Sequence, residues 1–238
     1  MKRNLFLGAV ILVAGSFLAT GAAIDEVKSA IKNLADKPNY SWTTTVQTGG
    51  GQGGRFAPGP TEGKTEKDGF TYLKMTRGDQ TTEAVLKGGK AVVKGQDGWQ
   101  EPAAGQGGGQ GGRGGFLARM LQNYRLPAAQ AEDLVGAVKE LKKEGDVYVG
   151  ELTEDGVRRF MMPGGGRGGQ NIPAPANAKG TAKFWVKDGV LTKYEFHVQG
   201  TMTFNNNDIN IDRTTTVEIK DIGATKVDVP AEAKQKLS

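Results

Sequence analysis

Few side chains in this sequence are placed to do chemistry. There is one histidine, His197, and no cysteine. His197 alternates with Lys193, Glu195, Gln199, Thr201 and Thr203 on the polar phase of a long β-type run, the setting of a solvated imidazole rather than a catalytic one. No G-x-S-x-G elbow, H-E-x-x-H pair or Walker lysine motif occurs. Acid/base work by two carboxylates needs no sequence proximity, so the sequence leaves it open. Asp208, Asn210 and Asp212 alternate like the start of a calcium loop. Arg213 stands where that loop requires glycine, and Ile219 where it requires its bidentate acid. Strand alternation accounts for the spacing. The reading is a non-enzymatic protein with no metal and no cofactor.

The arginines pose a different question. Arg55, Arg113 and Arg167 sit in or beside glycine tracts, as RGG-like pieces do in RNA-binding segments. Only Phe56 and Phe116 interleave with them, and the formal charge is a mild +5, so nucleic acid is not an expected partner. Arg213 falls in the apolar phase of its strand, between Ile211 and Thr215. A cation there either meets an anionic ligand group, or sits at a bulge or rim and reaches water.

Periodicity shows which elements carry these residues. Ile24, Val27, Ala30, Ile31 and Leu34 recur at helical spacing, with Asp25 and Glu26 in the first turn and Pro38 as the stop. Tyr40 to Gln47 is a strand, and Thr61 to Gln100 a meander punctuated by Asp68-Gly69, Gly88-Gly89 and Asp97-Gly98. Phe116 to Tyr124 suits a short helix. Ala131, Leu134, Val135, Val138 and Leu141 form a stripe that predicts a second one. Val147 to Leu152 returns to strand, and Thr153 is placed to cap a short helix through Phe160. Thr181 to Lys187 and Val190 to Phe204 form a hairpin at Asp188-Gly189. A further strand runs through Ile209, Ile211, Val217 and Ile219.

Long antiparallel strands with one apolar face need a cover, and the helices of 24–36 and 116–143 are available. The expected class is α+β: a large curved antiparallel sheet with an N-terminal helix and two central helices on its concave face. A sheet of about ten strands tends to curl, and a curled sheet partly plugged by helices leaves an apolar cavity.

Two further features bear on where the protein works. Lys2 and Arg3 precede an uncharged stretch from Leu5 to Ala23 whose apolar part ends at Leu18, short of the roughly 20 residues a membrane span needs. Ala19, Thr20, Gly21, Ala22 and Ala23 follow. The reading is a signal peptide over 1–23, cleaved after Ala22 or Ala23, with an uncleaved anchor as the alternative. Residues 24–238 then form one soluble domain in the periplasm or otherwise outside the cytoplasm, not spanning a membrane and without the cysteine a bacterial lipoprotein requires. Three glycine tracts at 49–54, 105–115 and 164–169 hold 18 of the 37 glycines. Ordering all 18 would cost on the order of 20 kcal/mol with no side chains to recover it. Mobile loops are therefore expected at 49–59, 103–115 and 163–179.

The order of leader, N-terminal helix, strand meander, two central helices and C-terminal antiparallel run resembles the LolA-like and LppX-like envelope proteins. The stretch GTAKFWVKDGVLTKYEFHVQGTM is similar to the part of such proteins where a tryptophan-bearing strand pairs with a long strand through an Asp-Gly turn. VDVPAEAKQKL looks like their terminal strand and Pro-started tail. The resemblance implies an unclosed β-barrel with a helical lid, and carriage of a lipid or lipid-anchored protein. The expected partners are an apolar ligand and an envelope protein. The expected cavity lining is Trp42, Tyr72, Phe184, Trp185, Val186, Tyr194, Phe196, Val198, Met202, Ile211, Arg213 and Val217. The alternative is an envelope interaction protein whose cavity is filled by its own helices, with the glycine tracts as contact loops.

Overall fold

The computed structural model describes residues 20–49, 59–102, 113–161, 175–204 and 207–238. Helix α1, Thr20–Ala35, carries Ala23, Val27, Ala30, Ile31 and Leu34 on one buried stripe. It starts upstream of Ile24, so Asp25 and Glu26 stand in its second turn; Glu26 meets Lys143 at 3.3 Å instead of serving the helix start. Pro38 follows its last turn, where no amide is left to continue the ladder.

Strand β1 is Asn39–Thr48. The meander is β2, Thr61–Glu66; β3, Thr71–Arg77; β4, Gln80–Lys87; β5, Lys90–Gly95; and β6, Gly98–Gln100. Then come α2, Arg113–Gln122; α3, Pro127–Val135; β7, Lys142–Glu144; β8, Val147–Glu151; and α4, Glu154–Met161. The chain ends with β9, Ala176–Lys187; β10, Val190–Phe204; β11, Asn207–Lys220; and α5, Ala231–Lys236. The Gly88-Gly89 and Asp188-Gly189 turns have positive φ at both central residues (57° and 83°; 52° and 72°), the geometry whose twist matches a two-residue hairpin.

Among the described residues all the strands belong to one 11-stranded antiparallel sheet, ordered β6-β5-β4-β3-β2-β1-β11-β10-β9-β8-β7. The meander lies on one side and the C-terminal hairpins on the other. The β1–β11 pair joins them, with Trp42 opposite Ile219 and Thr44 opposite Val217. β6 and β7 are edges that do not meet, so the sheet is unclosed. Each edge strand is three residues long, and β7 reads Lys-Lys-Glu, features that discourage pairing with another chain.

Helices α1 to α4 pack on one face of the sheet around a continuous apolar core. The opposite face carries a smaller cluster of Val85, Val92, Trp99, Val229, Ala233 and Leu237, built by α5 and the strands near β6. The Trp99 amide donates to Glu232 at 3.0 Å and the Val227 amide to Glu66 at 3.2 Å, fixing the terminal segment there.

Three expectations are corrected. The stripe Ala131–Leu141 is not one helix. α3 ends at Val135, and the chain then turns into the sheet edge: the Lys139 amide bonds the Glu151 carbonyl at 2.9 Å and Val138 bridges Leu152. All five apolar side chains are still buried, so core contact is served by a helix followed by an extended edge. Second, residues 113–115 open α2. Third, residues 176–179 belong to β9, because β10 is long enough to pair back to Ala176. The rest of the glycine-rich stretches, 50–58, 103–112 and 162–174, lies outside the described residues, as do 1–19. The Thr153 cap is present: its hydroxyl accepts from the Gly156 amide at 3.1 Å.

Candidate functional site

Register fixes which side chains share the helix-covered face. Across β1, β11, β10, β9 and β8, the rows run Trp42–Ile219, Thr44–Val217–Tyr194–Phe184–Tyr148, Thr215–Phe196–Ala182 and Arg213–Val198–Gly180. Trp42, Phe184, Tyr194, Phe196, Val198, Met202 and Val217 are all brought together there, each between 0% and 4% exposed. Ile211 and Val186 pack on the same core and are partly buried.

Tyr72 and Trp185 are not part of this face. Tyr72 is paired with Val85 and belongs to the outer cluster, where its hydroxyl donates to Glu83 at 2.6 Å. Trp185 pairs with Lys193, whose ammonium lies 4.8 Å from its ring centre on the outside. Each has an apolar neighbour in sequence, Leu73 beside Tyr72 and Phe184 and Val186 beside Trp185, so alternation alone gives no phase. Leu73, between Gly63 and Ala84, and Phe184 take the inner positions. The inner face also recruits Tyr148, Phe160 and Leu34, legible only as generic strand and helix positions.

A polar seam crosses this apolar layer. The Tyr194 hydroxyl donates to Gln130 of α3 at 2.6 Å. Tyr40 reaches the Ala128 backbone, and Tyr124 lies against Trp42. Burial pushes the Tyr40 and Tyr124 phenols up to about 12, and Tyr194 is raised well above the usual tyrosine range by the same cause. Tyr40 and Tyr194 fasten α3 to the sheet, and Tyr124 holds the segment between α2 and α3 against Trp42. Asp133 of α3 is held by Arg125 and Arg159, each at 2.9 Å.

Arg213 projects from β11 into the same face and donates to the Phe160 carbonyl in the last turn of α4. Near α1 a groove of about 360 Å³ opens between that helix and two hairpin ends. Val186 lines it beside Glu26, Asn33, Lys143, Asp146 and Asp188, so its wall is mixed rather than apolar.

The outer face of β10 and β11 is a polar ladder. His197 meets Asp212 at 2.8 Å, Thr201 donates to Asn210 at 2.9 Å, and Thr203 donates to Asp208 at 2.6 Å. The acidic alternation is thus spent on cross-strand pairs. Among the described residues no group of three His, Asp or Glu side chains could hold a metal ion. No helix among them is long and apolar enough to cross a membrane. Arg55 and Arg167 lie outside the described residues, as does the Arg113 side chain.

No protein-family model matches the sequence, and no curated protein matches it. Solved structures do. Lipoprotein LppX of Mycobacterium tuberculosis aligns with 89% of this chain and 100% of its own, at 12% identity and a TM-score of 0.52. LprF of Mycobacterium bovis aligns with 90% and 98%, at 11% identity and a TM-score of 0.48. A DUF1329 family protein of Desulfovibrio piger aligns with 89% and 95%, at 8% identity and a TM-score of 0.27. At such identities a likeness speaks to fold alone, and LppX is the comparison that carries it. The unclosed antiparallel sheet with helices on one face is an LppX-like fold.

Proposed function

We propose that this protein is an exported, non-enzymatic binder or carrier of an apolar ligand, a lipid or lipid-anchored protein, in the bacterial cell envelope. The observation that carries the reading is the inner face itself: a wide apolar surface of one sheet, covered by short separate helices rather than by a second sheet. Such a cover can exchange some helix contact for contact with an acyl chain. Each buried methylene is worth about 0.8 kcal/mol, so a long chain contributes roughly 10 kcal/mol without specific polar contacts. Among the described side chains of α2, Ala118 and Leu121 are the buried ones. The LppX-like fold supports the same reading, and the solved LppX is itself described as a lipoprotein.

A second reading has a specific observation behind it. The inner-face residues are already packed against the protein's own helices. On that reading the protein is an envelope interaction protein with a self-filled core and glycine-rich contact loops. One experiment separates the two. The protein is purified from its native host, extracted with organic solvent and examined for co-purifying lipid by mass spectrometry. Trp fluorescence is then followed on addition of fatty acid, with Trp42 as the inner-face reporter. Carriage predicts a bound lipid and a fluorescence response; absence of both refutes it. The intact mass of the same sample tests export, with an N-terminus at Ala23 or Ile24 expected and a retained leader counting against it.

A further inference from the structure

Arg213 is the one cation on the helix-covered face among the described residues whose charge the fold leaves unanswered. Its cross-strand neighbours are Val198 and Thr48, and Ile211 and Thr215 share its side of β11. The Phe160 carbonyl takes one of its five donors, and the Phe160 ring rests on Phe196 at 5.0 Å. The Nε is sealed from water and has no hydrogen-bond partner among the described residues. No carboxylate among them forms an ion pair with this guanidinium. The adjacent acid, Asp212, points to the outer face and meets His197. Partial burial pulls the Arg213 pKa down.

Fastening the end of α4 does not require this residue. A carbonyl is satisfied by any neutral donor, and it leaves the positive charge of this half-buried guanidinium without a carboxylate among the described residues. A planar fork with free donors is suited to a carboxylate or phosphate. We propose that Arg213 recognises the headgroup of the bound ligand, which makes that ligand an anionic amphiphile with its chain along the inner face and its carboxylate or phosphate on the guanidinium. This rests on the carrier reading and narrows it from apolar ligands in general to those with a negative end.

The test measures binding of oleate and of oleyl alcohol, below their micelle concentrations, to the full mature protein and to R213M and R213K. The two probes share a chain and differ in charge. The unmodified protein should prefer oleate by roughly ten- to hundredfold, the scale of a charge-assisted hydrogen bond. R213M should lose that preference while keeping its affinity for oleyl alcohol, and R213K should keep part of it. A purely structural bolt on α4 would alter stability in R213M without touching the ratio. Equal binding of both probes by the unmodified protein overturns the proposal even if neither variant folds. So does an undiminished oleate preference in R213M. Binding of neither probe overturns the carrier reading as well. Inorganic phosphate alone at millimolar concentration should not compete with oleate; competition in the unmodified protein but not in R213M would assign the site to a free anion and also overturn the proposal.

Discussion

Gly63→Ala should be among the most damaging one-methyl changes in this protein. Gly63 lies in β2 directly opposite Trp42 in β1 and Leu73 in β3. A Cβ at this position would fall 2.1, 2.3 and 2.5 Å from Cζ2, Cε2 and Cη2 of the Trp42 indole. Carbon atoms pack at about 3.5–4.0 Å, so the ring would have to retreat by more than about 1 Å. Trp42 is 2% exposed and has Tyr40 at a ring distance of 5.8 Å, which leaves little room for that retreat. Overpacking of this kind costs about 1–3 kcal/mol, and the upper end applies to a rigid ring. Alanine recovers up to about 1 kcal/mol through the unfolded chain. The net expectation is a loss of about 2 kcal/mol, or a fall in Tm of about 4–8 °C for a domain of this size. Urea and thermal unfolding followed by far-UV circular dichroism would measure it, since Trp fluorescence is itself altered by one partner. The mechanism also predicts coupling. In a Trp42→Phe background the clashing six-membered ring of the indole is gone, so adding Gly63→Ala should cost close to nothing, a coupling of about 2 kcal/mol. A loss below about 0.5 kcal/mol in the single variant, or the same loss with and without the indole, would refute the argument.

Two other outcomes follow from the packing. Tyr40 and Tyr124 titrate near 10 when unfolded and are pushed up to about 12 when folded. Their neutral forms are favoured by the fold, so this stability is fully present below about pH 10 and is lost as pH rises towards about 12. Phenolate absorbance at 295 nm should therefore appear together with loss of circular dichroism, and titration of these tyrosines near 10 in a folded protein would contradict it. Leu237→Ala, in the outer cluster at 4% exposure, should cost about 2 kcal/mol, the low end for a buried leucine because the cluster lies near the sheet edge. It should speed hydrogen exchange at Val92 and Trp99 more than at Tyr194, and uniform exchange would show that α5 is not an independent brace.

Much of this architecture is written locally. The period-2 pattern through Tyr194, Phe196, Val198 and Met202 places those side chains on one face whatever the strand pairs with, because successive side chains in a strand point to opposite sides. The Asp188-Gly189 hairpin and the Thr153 cap are equally local, since the residue types needed for positive φ and for an N-cap are few. The helical stripe of α1 and the class of the fold follow in the same way.

Other features depended on contacts that no local pattern encodes. Where adjacent apolar residues leave both phases open, as in Phe184-Trp185-Val186 and Tyr72-Leu73, the cross-strand register decided the face, and Tyr72 and Trp185 went outward. The stripe ending in Leu141 satisfies helical spacing, yet backbone pairing with Glu151 and Leu152 turned its second half into a sheet edge. The join of β1 to β11 closes two distant halves of the chain into one sheet. Strand alternation announced Arg213 as an oddity in an apolar phase. Only the assembled fold made it a guanidinium with a carbonyl on one side and no counter-charge among the described residues, because burial and the partners of a charge are properties of what surrounds it in space.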